Sequence, residues 1–190
     1  MTASLSLPPN LPVPEDDSAC DHLAGFTLSS PLFMTSTSPI SPQIDIAALP
    51  GLVVIFCFPR TAEPNEVVPP EWDAIPGARG CTPQACSFRD NFSRLKDLKV
   101  THVYGLSTQS KGQLEELATR LHLPYDLLVD EDLKFQQALG LPTFDWKERK
   151  LLKRVTLAIE QGKVVKYWYP VFPPDKGVES VLEWLGSRSK

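Results

Sequence analysis

Between residues 52 and 58 the chain carries an unbroken apolar run, Leu52, Val53, Val54, Ile55, Phe56, Cys57 and Phe58. β-Branched and aromatic side chains in a run this short, bounded by Pro50-Gly51 and Pro59, predict a strand buried on both faces of a sheet. Residues 99–108 alternate and end in small side chains, which predicts a second central strand. Helical spacing appears elsewhere. Ala85, Phe88, Phe92 and Leu95 form one such series, and Leu114, Leu117, Ala118 and Leu121 place a helix over 113–123. A short strand over 124–130 follows, then a helix over 131–139 stopped by Gly140, and a loop over 141–144. Residues 154–160 and 163–170, joined at Gln161-Gly162, predict a hairpin. Val178, Val181, Leu182 and Leu185 mark a closing helix over 175–185. Ahead of the central run, apolar pieces at 26–28 and 44–46 flank a Ser/Thr/Pro-rich stretch and predict a small hairpin. The order of these elements predicts an α/β fold, a mixed sheet flanked by helices on both faces.

A chain of 190 residues is one domain's worth. Its first 17 residues mix Pro, Ser, Asp and Glu without period and predict a flexible or loosely docked arm, so the domain is expected over 21–190 with the arm over 1–20. About twenty Pro- and Glu-rich residues, 60–79, form a long loop, and loops of that length are more often functional than idle. Trp72 is its expected hydrophobic anchor. The net charge of −4 provides no electrostatic footprint for nucleic acid or an anionic membrane. No basic-then-apolar leader opens the sequence, and the longest apolar run is too short to span a bilayer. A cytoplasmic setting is expected, where thiols stay reduced and paired cysteines tend to be catalytic or sensing. The histidines are scattered without ligand spacing, so no metal is expected. Cys20, among Asp16, Asp17 and Asp21, is disfavoured as a thiolate, and Cys57 reads as a core residue.

The most informative chemistry lies in Gly80-Cys81-Thr82-Pro83-Gln84-Ala85-Cys86-Ser87-Phe88-Arg89-Asp90. Pro83 suits a first helical turn, so Cys81 is predicted at a helix N-terminus, where unpaired N–H groups and the dipole favour a thiolate. In an intact helix the rise and rotation over five residues put the Cα atoms of Cys81 and Cys86 about 9 Å apart. A disulfide needs less than roughly 7 Å, so the two can join only if the helix unwinds locally. The pair reads as a switchable redox pair or as two small buried hydrophobes. A C-x-x-C oxidoreductase is disfavoured by the spacing.

This segment resembles the active-site helix of the peroxiredoxins of the Q type, also called bacterioferritin-comigratory proteins. The resemblance extends over about residues 22–186 and implies a thioredoxin-like fold in its peroxiredoxin elaboration. It implies that Cys81 is the peroxidatic residue and Cys86 the resolving one. It implies that Arg154, which opens the segment Arg154-Val155-Thr156-Leu157-Ala158-Ile159-Glu160, contacts the reacting sulfur and the peroxide. The family passes from its strand almost directly into a Thr-Pro-Gly-Cys turn; here 60–79 is an insertion, and Ala78 stands where the family has threonine. The peroxide-binding hydroxyl falls to Thr61, to Thr82, or to neither. The implied activity is reduction of hydrogen peroxide and organic hydroperoxides, recycled by thioredoxin or a similar dithiol, with no cofactor, in a monomer or weak homodimer. The alternative is a redox sensor or interaction module that uses the same cysteine pair.

Overall fold

The computed structural model describes residues 7–188; the first six residues of the expected arm lie outside the described residues. Seven strands form one mixed sheet in the order β2-β1-β5-β4-β3-β8-β9, with β1 Phe33–Ser36, β2 Gln43–Asp45, β3 Leu52–Cys57, β4 Val100–Ser107, β5 Leu127–Val129, β8 Val155–Glu160 and β9 Lys163–Trp168. β3 runs parallel to β4 and antiparallel to β8, and β4 runs parallel to β5. β3 is buried along its whole length, as its unbroken apolar run predicts. Its alternation divides two cores. Val54, Phe56 and Phe58 face a layer formed by α2 Cys81–Asp90, α4 Lys111–Leu121 and α6 Gly177–Arg188, while Val53, Ile55 and Cys57 face Leu23, Met34, Phe135 and Leu139. α5 Lys134–Leu139 starts where Asp130 accepts from the backbone N–H groups of Phe135 at 2.7 Å and Gln136 at 2.9 Å. α3 Phe92–Asp97 follows α2 after a break at Asn91.

Two segments differ from expectation. The first hairpin pairs 33–36 with 43–45, and the expected strand at 26–28 contributes only a single bridge between Thr27 and Lys163. β1 lies in the Ser/Thr/Pro-rich stretch that predicted no strand, yet Met34 and Ser36 are buried and Thr35 pairs with Val129 of β5. Its strand character comes from a neighbour about ninety residues away, which supplies the pairing that local pattern omits. The stretch expected as a loop opens a second hairpin, β6 Thr143–Trp146 and β7 Arg149–Leu152, outside the main sheet. This hairpin packs on the long loop. Trp72, in α1 Pro70–Asp73, is 5% exposed and meets the rings of Trp146 at 5.1 Å and Phe144 at 6.0 Å, with Ala78 and Leu151 completing the cluster.

Candidate active site

Gly80 caps α2 with φ +104, a left-handed conformation that glycine adopts without steric cost. A Cβ there would lie 2.7 Å from Pro174 and 2.8 Å from Leu7, so any larger residue would displace the wall around the helix start. The cap delivers Cys81 as the first residue of α2, 4% exposed.

Arg154 reaches this sulfur from the sheet. It precedes β8, whose Val155 is paired with Cys57 at the carboxyl end of β3, so the register of β3 with β8 carries the guanidinium to the α2 N-terminus. Nη2 donates to Cys81 Sγ at 3.1 Å and to the carbonyls of Ala78 and Arg79, both at 3.0 Å. Nε donates to Gly77 O at 2.9 Å, and Nη1 donates to Gln84 Oε1. The rigid fork of donors thus serves two ends: it places positive charge on the sulfur and gathers the last carbonyls of the long loop. Position 78, alanine in place of a hydroxyl residue, contributes its carbonyl, which also lies 3.6 Å from the Cys81 thiol.

Gln84, which accepts from Arg154, is a site residue that sequence reasoning missed. It is fully buried, and its Nε2 has no hydrogen-bond partner. A residue three after Cys81 lies on the same helix face, and a polar amide at that spacing on a core-facing helix was the available signal.

Cys86 is also buried, and burial pushes its thiol up, partly opposed by the Arg89 charge. Both cysteines are unbridged. Thr82 is half-buried beside Cys81. Thr61 lies beyond β3 in a different set of bonds: its N–H donates to Gln109 Oε1 at 2.8 Å, its hydroxyl to the same atom at 3.2 Å, and Gln109 Nε2 donates back to Thr61 O at 3.1 Å. None of these bonds reaches Cys81 or Arg154.

Arg154 also borders a mostly apolar cavity of about 410 Å³, walled by Val13, Pro14, Ile75, Phe144 and Tyr169. The N-terminal segment closes one side of it. Asp17 pairs with Lys153 Nζ at 2.7 Å and accepts from the Tyr169 hydroxyl at 2.8 Å, and these two donors pull its carboxyl down to about 2.

Away from this site, Cys20 is pushed up to about 12 by burial and then by Asp17, Asp16 and Asp21, and Cys57 well above its ordinary value by burial. His22 Nε2 is hydrogen-bonded to Leu139 O at 2.7 Å. Among the described residues, no cluster of three or more His, Cys, Asp or Glu side chains could hold a metal, and no helix is long and apolar enough to cross a membrane.

The Redoxin family matches residues 34–182. Peroxiredoxin Bcp of Escherichia coli K12 is 31% identical over 147 residues, covering 75% of this chain and 84% of its own. The chloroplastic peroxiredoxin Q of Arabidopsis thaliana is 33% identical over 107 residues, 56% of this chain and 48% of its own, so the chain spans about half the length of the plant relatives it matches. Among solved structures, peroxiredoxin Q of Xanthomonas campestris superposes with a TM-score of 0.68 at 18% identity, over 88% of this chain and 99% of its own. Peroxidoxin BcpB of Mycobacterium tuberculosis superposes with a TM-score of 0.67 at 21% identity, over 86% and 96%. At these identities the superpositions speak for the fold.

Proposed function

Because this chain belongs to the redoxin family, in its peroxiredoxin Q and Bcp branch, we propose that it is a thiol peroxidase acting on hydrogen peroxide and organic hydroperoxides. One observation carries the reading: a buried arginine donates to the sulfur of a cysteine at a helix N-terminus, at 3.1 Å. The Cys81 thiolate attacks the outer oxygen of ROOH. The O–O bond breaks, sulfur takes that oxygen as a sulfenic acid, and the leaving RO⁻ takes up a proton to depart as alcohol or water. Arg154 steadies the negative charge on sulfur beforehand and on the leaving oxygen in the transition state. The Cys86 thiol then displaces hydroxide from the Cys81 sulfenic acid, releasing water and forming an S–S bond. A dithiol partner of the thioredoxin class returns both thiols by exchange. No step calls on a cofactor.

In this reading residues 21–190 are the catalytic domain, 1–20 an N-terminal arm whose Val13, Pro14 and Asp17 line the cavity beside Arg154, and 60–79 an insertion whose last carbonyls seat Arg154. The test is peroxide consumption by the reduced protein with thioredoxin and its reductase. Cys81→Ser is expected to abolish turnover, and Arg154→Met to slow the first step about 100-fold, the usual consequence of removing one charge-stabilising donor. Undiminished turnover in Cys81→Ser would overturn the reading.

A further inference from the structure

The hydroxyl of Tyr125 donates to the carbonyl of Ala85 at 2.6 Å. Forty residues separate the two, and the bond enters α2 between Cys81 and Cys86. Tyr125 is 7% exposed, and burial pushes its phenol up, so the hydroxyl remains a donor. Its ring is wedged edge-on to Phe56 at 5.7 Å and against Phe92 at 6.1 Å. Phe56 belongs to β3, so the hydroxyl is anchored against the most deeply buried strand of the sheet. On the far side of Cys86 the helix has two further anchors. Phe88 stacks on Phe56 at 4.2 Å, and Arg89 Nη1 donates to Leu121 O at 2.9 Å.

Helix geometry holds the two cysteine Cα atoms about 9 Å apart, beyond the roughly 7 Å that an S–S bond tolerates. The turn and a half between them must therefore leave the helix before the sulfurs meet. Ala85 lies inside the loop that closes, whereas Phe88 and Arg89 lie outside it. Closure thus has to break the Tyr125 bond but can leave the later anchors intact. The same opening brings Cys86 toward water and relieves the burial that keeps its thiol protonated.

We propose that Tyr125 is a positioning residue whose hydroxyl holds the Cys81–Cys86 segment helical and so sets the rate at which Cys86 reaches the Cys81 sulfenic acid. This rests on the peroxidase reading for its chemistry, though the restraint on the helix can be measured without it. Removing the hydroxyl strands nothing, since the Ala85 carbonyl keeps its helical partner, the N–H of Arg89. Tyr125→Phe keeps the ring and its packing. It therefore isolates the hydroxyl.

The test follows the reduced wild type and Tyr125→Phe after mixing with hydrogen peroxide, quenched with a thiol-alkylating reagent at increasing times. Mass spectrometry of the peptide holding both cysteines separates thiol, sulfenic, disulfide and sulfinic forms. Loss of the Cys81 thiol is expected at an unchanged rate, and disulfide formation about fivefold faster, within the range one buried hydrogen bond supports. The sulfinic fraction at high peroxide is expected to fall, because overoxidation needs a second peroxide to find the sulfenic acid before Cys86 does. In parallel, hydrogen exchange of the Ala85–Arg89 amides in the peroxide-free protein is expected to quicken by a similar factor, with β3 amides unchanged. Unaltered disulfide formation with unaltered α2 exchange would overturn the proposal, as would equal acceleration in β3, which marks general destabilisation. If the wild-type thiol does not react with peroxide, the peroxidase reading fails. The exchange measurement then decides the restraint alone, faster exchange confined to α2 upholding it and unchanged exchange ending it.

Discussion

Arg154 shows how much one side chain organises. Five acceptors surround its guanidinium: three consecutive loop carbonyls, the Gln84 amide oxygen and the Cys81 sulfur. A lysine has neither the planar fork nor the reach to bind this set, so the position demands arginine for geometry as well as charge. Thr61 presents the opposite case. Its residue type and place at the strand end suit a peroxide-binding hydroxyl, yet the hydroxyl, the backbone N–H and the backbone carbonyl are all engaged by Gln109. Thr61→Val is therefore expected to leave the peroxide rate within about threefold while costing about 1 kcal/mol of stability, the usual worth of one hydrogen bond. Stopped-flow kinetics beside urea denaturation checks both. A rate loss of a hundredfold would return the peroxide role to Thr61.

At the scale of elements, the loop over 60–79 and the β6–β7 hairpin stabilise each other. Neither has an apolar face large enough to stand alone, and their shared cluster around Trp72 supplies one. Arg60 adds its charge over the Trp72 ring at 5.8 Å. Since the carbonyls of residues 77–79 that seat Arg154 close this loop, loosening the cluster acts on the site from a distance. Trp72→Ala is expected to cost about 3 kcal/mol in chemical denaturation, as large-to-small changes at buried aromatics do, and to slow peroxide reduction. Denaturation curves and stopped-flow traces on the one variant test the coupling. Undiminished rate with lost stability would separate the cluster from the site.

For the molecule as a whole, one buried carboxyl ties stability to pH. Asp130 is fully buried between β5 and α5, and burial pushes it up to about 6 against the two N–H groups it accepts from. The folded state therefore holds a proton that the unfolded chain has already released above about pH 4. Its contribution is complete below about pH 4 and is lost as pH rises through about 6. The shift corresponds to about 3 kcal/mol between those limits. Asp130→Asn carries no charge at either end. Thermal unfolding of both proteins at pH 4 and 7 is expected to show the wild type gaining about that much on the variant as pH falls. A constant difference would mean that Asp130 is ionised throughout.

Much of this architecture is legible in the sequence, for reasons that are local. A strand buried on both faces reads as a near-continuous apolar run, and 52–58 supplies one whatever lies around it. A proline two residues past Cys81 and an apolar helical series after it are enough to set that cysteine at a helix start. Ser110 capping α4, with Gln113 bonding back to it, is equally local. Tertiary structure decided the rest. Nothing near Phe33 indicates β5, and nothing near Thr143 indicates Trp72, so β1 and the second hairpin were invisible until distant partners met. Arg154 could be singled out only through family resemblance, because its 73-residue separation from Cys81 is closed by the pairing of β3 with β8. Tyr125 was hidden for the same reason. A side chain's partners across the core depend on how the layers stack, and spacing along the chain carries information only as far as one element extends.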